Sequence, residues 1–155
     1  MAKIKRTKSF EAKIATQISG IATFQAETVT GDVVTFNDLY KVDRNSDDDV
    51  NLELIFINSG VIVSSDVFID KIIKIQGIRG SIGKTPIGTC QAVHGKFLDI
   101  ISVVSVSNIT PIPDDLNIRL IITGGPNSLI RQVGKTVKLT AVGQNIDVVI
   151  SIIFF

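Results

Sequence analysis

The chain has 155 residues, of which 20% are charged, with one cysteine, one histidine, no tryptophan and a formal net charge of +1. A single cysteine, Cys90, excludes an internal disulfide and any multi-cysteine metal site, and His94 alone leaves a zinc centre short of ligands. No apolar run reaches the roughly 18 to 20 residues needed to cross a bilayer, and no apolar block follows the basic start as a signal peptide requires. The reading is a soluble chain, with no membrane partner, that does not use the general secretory route.

Leu occurs eight times, whereas Ile and Val together supply more than forty residues, with twelve Thr beside them. Branching at Cβ favours a pleated strand over a helix, so the composition predicts a β-rich fold. A chain of this length is the size of one ordinary domain. The expected organisation is a basic N-terminal arm over 1–8 and a single β domain over 9–155. Charge is divided into blocks. Lys3, Lys5, Arg6, Lys8 and Lys13 face only Glu11; eight acids lie between Glu27 and Glu53 against Lys41 and Arg44; five cations and no acid lie between Lys71 and Lys96. A basic arm of this kind suits an acidic surface on a neighbouring subunit, or non-specific contact with nucleic-acid phosphates.

In chain order, Ser9 to Gln25 fits two periods. Phe10, Ala12 and Ile14 alternate as a strand, while Phe10, Ile14, Ile18 and Ile21 share a helical face; the strand is preferred. Thr28 to Phe36 reads as a hairpin turning at Gly31-Asp32. Asn51 to Ile57 alternates Leu52, Leu54 and Phe56 against Asn51, Glu53 and Ile55, and Asn58-Ser59-Gly60 turns the chain into Val61-Ile62-Val63. Val67 to Gln76 reads as one strand, and the glycines from Gly77 to Gly88, with Pro86, argue against a long regular element after it. Phe97 to Val106 is a strong strand, Asn108 to Asp115 a loop, and Leu116 to Thr123 a strand with period two. Gly124-Gly125-Pro126-Asn127 is a turn, and strands over Thr136 to Val142 and Ile146 to Phe155 close the chain. Eight to ten short strands with little helix define an all-β sandwich, jelly-roll-like or immunoglobulin-like.

Three stretches invite a chemical reading. QGIRGSIGKT, Gln76 to Thr85, ends like a phosphate-binding loop, but the required glycine position holds Ile78, and Pro86 and Gly88 follow where a helix should start. Asp43, Asn45 and Asp47 stand at the first, third and fifth positions of a calcium loop, yet the sixth is Asp48 rather than Gly and the twelfth is Leu54 rather than Glu. Cys90 and His94 come together only in a turn, because in a strand residues four apart lie about 13 Å apart. No cofactor is expected, and no enzyme.

Val148 to Phe155 is apolar except for Ser151, so a strand there needs cover on both faces. Its loss should harm folding or assembly. The expectation is a non-enzymatic structural protein whose partners are copies of itself or other subunits of a larger assembly. Lys3, Lys5, Arg6, Lys8, Arg79, Lys84, Phe154 and Phe155 are its predicted contact residues. The class that fits is a virion component, such as an auxiliary capsid protein of a bacteriophage, assembled in the host cytoplasm. The alternative is a ligand-binding β-domain of lectin or adhesin type, with calcium at 43–49.

Overall fold

The computed structural model describes residues 25–30, 32–57, 61–106, 116–125, 127–133 and 143–155, with the backbone alone at 25–30, 127, 132 and 133. The basic arm, the segment from Ser9 to Phe24, the turn at Asn58 to Gly60, the loop from Asn108 to Asp115 and the strand predicted over Thr136 to Val142 fall outside these residues. The described residues form two sheets packed face to face, the all-β sandwich expected from the composition.

Ten strands follow in order: β1 (Gln25–Thr30), β2 (Val33–Tyr40), β3 (Asp49–Phe56), β4 (Val61–Ile69), β5 (Ile72–Arg79), β6 (Ile82–Thr89), β7 (Phe97–Val106), β8 (Ile118–Gly124), β9 (Asn127–Val133) and β10 (Asn145–Phe154). A one-turn helix, α1 (Cys90–Val93), lies between β6 and β7; the Thr89 hydroxyl caps it by accepting the Ala92 N–H. The larger sheet has the order β1-β2-β10-β7-β4-β5 and the smaller β6-β3-β8-β9. All neighbours are antiparallel except β2 and β10, which run parallel from Val33 beside Asp147 to Tyr40 beside Phe154. That parallel pair departs from the purely antiparallel order of a jelly roll.

Period-two side chains build the core. Val50, Leu52 and Leu54 of β3 and Ile118, Leu120 and Ile122 of β8 are fully buried. They share one core with Phe36 of β2, Leu98 and Ile100 of β7 and Ile146, Val148, Ile150 and Ile152 of β10. Each such side chain contributes about 1.5–3 kcal/mol on leaving water. Two hydroxyls sit inside this core as a matched pair: Ser65 and Ser102, cross-strand partners, are 2.7 Å apart oxygen to oxygen.

The register gives the sandwich two ends. At one, the Phe155 end, Ile69 pairs with Leu98, Phe97 with Ile153 and Tyr40 with Phe154. At the other, the Arg79 end, Val61 pairs with Val106, Ser105 with Asn145 and Val33 with Asp147. The Tyr40 hydroxyl donates to the Gly124 carbonyl (3.0 Å) and joins the two sheets at the first end; at the second, the Gly80 N–H donates to the Val63 carbonyl (3.1 Å), continuing the β4–β5 pairing within the larger sheet. Gly124 must be glycine, because a Cβ there would lie 2.7 Å from the Asp49 carbonyl oxygen.

Two sequence expectations are corrected here. Val67 to Gln76 is not one strand; it breaks at Asp70-Lys71, both with positive φ (48° and 70°), into the β4–β5 hairpin. Asp70 is pinned to Phe97, its N–H donating to the Phe97 carbonyl (2.9 Å) and its Oδ1 accepting the Phe97 N–H (2.9 Å). A two-residue turn needs φ > 0 at both centres, and Asp tolerates this better than most side chains. The glycine-rich stretch also does carry regular structure. β5 passes through Gly77, and β6 through Gly83, Pro86 and Gly88, with irregular register on both. Both are edge strands, where bulges and a proline without an N–H do not interrupt a second ladder.

Candidate assembly surface

Among the described residues β5 pairs with β4 alone and forms the outer margin of the larger sheet. Seven of its eight residues are exposed, on both faces; only Ile75 is half-buried. Ile72 is 66% exposed, and Ile73 and Ile78 are also open to solvent. Lys71, Lys74 and Arg79 lie on this hairpin, which also carries Asp70 beside Lys71 in the turn and Asp66 on β4, and Lys84 follows on β6, also exposed. The strand thus presents isoleucines and cations along an edge that no described strand pairs. Charge and bulges are common means of keeping such an edge from pairing indiscriminately.

At the Phe155 end the connection from β2 to β3 holds the acids. Asp43, Asp47, Asp48 and Asp49 are all exposed, as is Asn45. Asp43 Oδ1 accepts the Asn45 N–H (2.9 Å) and its carbonyl accepts the Ser46 N–H (3.0 Å), so these atoms form a compact Asx turn. The loop is strapped to α1, because the Cys90 and Gln91 N–H groups donate to the Asp48 and Ser46 carbonyls. Among the described residues, no three His, Cys, Asp or Glu side chains gather as a metal site.

The structure places the remaining candidates as follows. Arg79 closes β5 and Lys84 lies on the adjacent β6, so these two predicted contact residues share the Arg79 end. The Gly-Lys-Thr of the phosphate-loop resemblance is strand: Thr85 pairs with Leu52, its hydroxyl donates to the Gly83 carbonyl (2.8 Å), and no helix begins there. Cys90 is buried on the first residue of α1 and His94 is exposed just beyond the last. Phe154 is corrected as a contact residue. It is completely buried in this chain's own core, its ring edge-on to Tyr40 at 6.0 Å, because β10 is an interior strand rather than a free tail. Phe155 is half-buried, its N–H bound to the Tyr40 carbonyl and its own carbonyl to the Val42 N–H.

Two ionisable groups inside the sandwich are perturbed. Asp38, on β2, faces inward; burial raises its carboxyl above the ordinary carboxylate value, opposed by the Leu39 N–H and by Arg131. The Arg131 Nε reaches Asp38 Oδ2 from β9 at 2.8 Å and ties the two sheets along one side. Burial, with the nearby Cys90, pushes Tyr40 up to about 12. Both groups bond between the sheets, Asp38 to Arg131 of β9 and Tyr40 to Gly124 of β8, so their perturbation is read as structural.

Sequence reasoning missed Ile72, Ile73, Ile78, Lys71 and Lys74. The available signal was lysine on each side of Ile72-Ile73, a mark of an edge strand. No family model, curated protein or solved structure matches the chain. No helix among the described residues is long and apolar enough to cross a membrane.

Proposed function

We propose that this chain is a non-enzymatic assembly subunit that joins copies of itself, or other subunits of a larger shell, through the β5 edge. The finer reading is a virion component of the auxiliary, capsid-decorating kind carried by bacterial viruses. One observation carries the proposal: an isoleucine-rich edge strand exposed on both faces, with no described strand paired on its outer side. Main-chain pairing supplies affinity at such an edge, and side chains on alternate faces supply specificity. Charge supports the same reading. Lys71, Lys74, Arg79 and Lys84 complement the exposed acids of Asp43 to Asp49 on a neighbouring copy, and the arm with Lys3, Lys5, Arg6 and Lys8 adds a second basic contact.

Sedimentation velocity across concentration and salt tests it. A species larger than the 16.7 kDa monomer is expected at low salt, weakening as salt screens the charges. Ile72→Lys combined with Ile78→Lys is expected to weaken association at least about tenfold, the equivalent of roughly 1.4 kcal/mol. A monomer at every concentration and salt, together with its absence from purified virus particles by mass spectrometry, overturns the proposal.

A further inference from the structure

β5 runs from Ile72 at the Phe155 end to Arg79 at the opposite end, with β4 along one side of it. Ile73, Lys74, Gln76, Ile78 and Arg79 are all exposed. The two carboxylates of this hairpin are engaged by main chain: Asp66 Oδ1 accepts the Gly77 N–H (2.7 Å) and Asp70 Oδ1 the Phe97 N–H (2.9 Å). Among the described residues, no ion pair engages Lys71, Lys74, Arg79 or Lys84. A strand added to this edge therefore meets a fixed order of apolar, amide and cationic side chains, and that order restricts how a second copy can pair.

Like charges directly opposite each other across a ladder are destabilising. A parallel pairing of two β5 strands in register sets every cation beside its own copy. An antiparallel pairing has a two-fold axis between the strands, so that one surface serves both copies and residues equally distant from the axis face each other. The cations then restrict the axis. Midway between Lys74 and Arg79, it would set these two opposite each other; at Ile75, it would set Lys71 opposite Arg79. At Gln76 neither contact is made: Lys74 meets the partner's Ile78, and Arg79 meets the partner's Ile73. Gln76 is also suited to lie on the axis, because a carboxamide both donates and accepts and can pair with its own copy.

We infer that the occupant of the β5 edge is β5 of a second copy, paired antiparallel about a two-fold axis at Gln76, so that the larger sheets of the two copies run on as one. Charge complementarity favours a copy of this chain. Antiparallel pairing lays the Arg79 end of each copy beside the Phe155 end of the other, and exposed acids stand at that end: Asp70 in the hairpin turn, and Asp43, Asp47, Asp48 and Asp49 in the connection from β2 to β3. Arg79 comes opposite the partner's Ile73, three residues and about 10 Å along the strand from the partner's Asp70. The axis repeats each such approach, so every attraction is made twice. This inference rests on the assembly reading and adds its symmetry: a closed two-fold pair at this edge rather than an open head-to-tail chain.

Disulfide trapping in the full chain tests it. Cys90 is buried, so a cysteine placed on β5 is the accessible thiol. Gln76→Cys, Ile73→Cys and Arg79→Cys are each checked for wild-type circular dichroism, oxidised at low salt and separated without reductant, while sedimentation velocity follows the wild-type chain. Gln76→Cys is expected to give a disulfide dimer in at least about tenfold higher yield than either other variant alone, because residues three from the axis lie about 20 Å from their own copies, beyond disulfide reach. Mixing Ile73→Cys with Arg79→Cys is expected to recover the dimer. A wild-type chain that associates, with no Gln76→Cys dimer, no mixed dimer, or a maximum at Ile73→Cys or Arg79→Cys alone, would overturn the two-fold inference and leave the assembly reading standing. A wild-type chain that is monomeric at every concentration and salt would overturn the inference and count against the assembly reading as well.

Discussion

β10 and β5 are similar in sequence character and opposite in fate. NIDVVISIIF and IIKIQGIR are both rich in isoleucine, yet β10 is flanked by β2 and β7 and buried on both faces from Ile150 to Phe154, while β5 has a single partner among the described strands and is almost wholly exposed. Burial is therefore set by position in the sheet rather than by apolar content of the strand. A central strand receives ladders on both sides and cover on both faces, so its apolar side chains stabilise this molecule. The same side chains at an edge leave apolar surface and unpaired main-chain groups available to another molecule.

The comparison is broken most severely on the β10 side. Ile150→Ala, at a fully buried position between the two sheets, is expected to cost about 2–5 kcal/mol in urea unfolding through lost transfer energy and a residual cavity. Arg131→Met is expected to cost about 1–3 kcal/mol at neutral pH by leaving the Asp38 carboxylate, on the strand beside β10, without its charged partner. The sign follows from the raised carboxyl of Asp38. A folded-state value above the unfolded one means that this group favours the fold most when protonated, and that contribution is lost as pH rises through the folded value. Loss of Arg131 raises that value further, so the cost of the substitution should shrink when unfolding is repeated below the ordinary carboxylate range. A cost independent of pH would show that Arg131 acts through packing alone.

Tyr40→Phe should cost about 1 kcal/mol, the usual net worth of one hydrogen bond, here the one to the Gly124 carbonyl. Tyr40 is the sole tyrosine, so its phenolate absorbance can be followed without interference. Titration near 12 in the folded chain is expected, against about 10 when unfolded. Stability from this group is complete below about pH 10 and falls as pH rises towards the folded value. The smallest effect is on the β5 side: Ile72→Lys should change unfolding free energy by less than about 0.5 kcal/mol, as for an exposed position, while weakening self-association. A destabilisation approaching that of Ile150→Ala would erase the distinction between the two strands.

Much of the fold was legible because alternation is a local property. Val50, Leu52 and Leu54 announce their buried face without any partner, and Phe97 to Val106 coincides with β7. The β4–β5 turn was not legible, because Asp70-Lys71 lacks a glycine and its conformation is held by Phe97, twenty-seven residues away. β9 was missed for a related reason: Asn127 to Val133 is polar at several positions, and its pairing with β8 makes it a strand. In the candidate surface, Arg79 and Lys84 were legible as cations without acids nearby. Ile72 and Ile78 were not, since the lysines beside Ile72-Ile73 mark an edge only once the chain is known to break at Asp70-Lys71 and leave these residues on a strand of their own.

The sequence by itself determined that this chain is a β-sandwich without a long described helix, that its final strand must be covered on both faces, and that its charges fall into separate blocks. These follow from Cβ branching, period-two alternation and composition, which act within a few residues. Only the tertiary structure decided that β10 is central, that Phe154 points into the core and that β5 is left at the margin. Strand order depends on ladders between residues distant in the chain, such as Ile150 with Phe36 and Ile100, and no local pattern encodes which side of a sheet remains open.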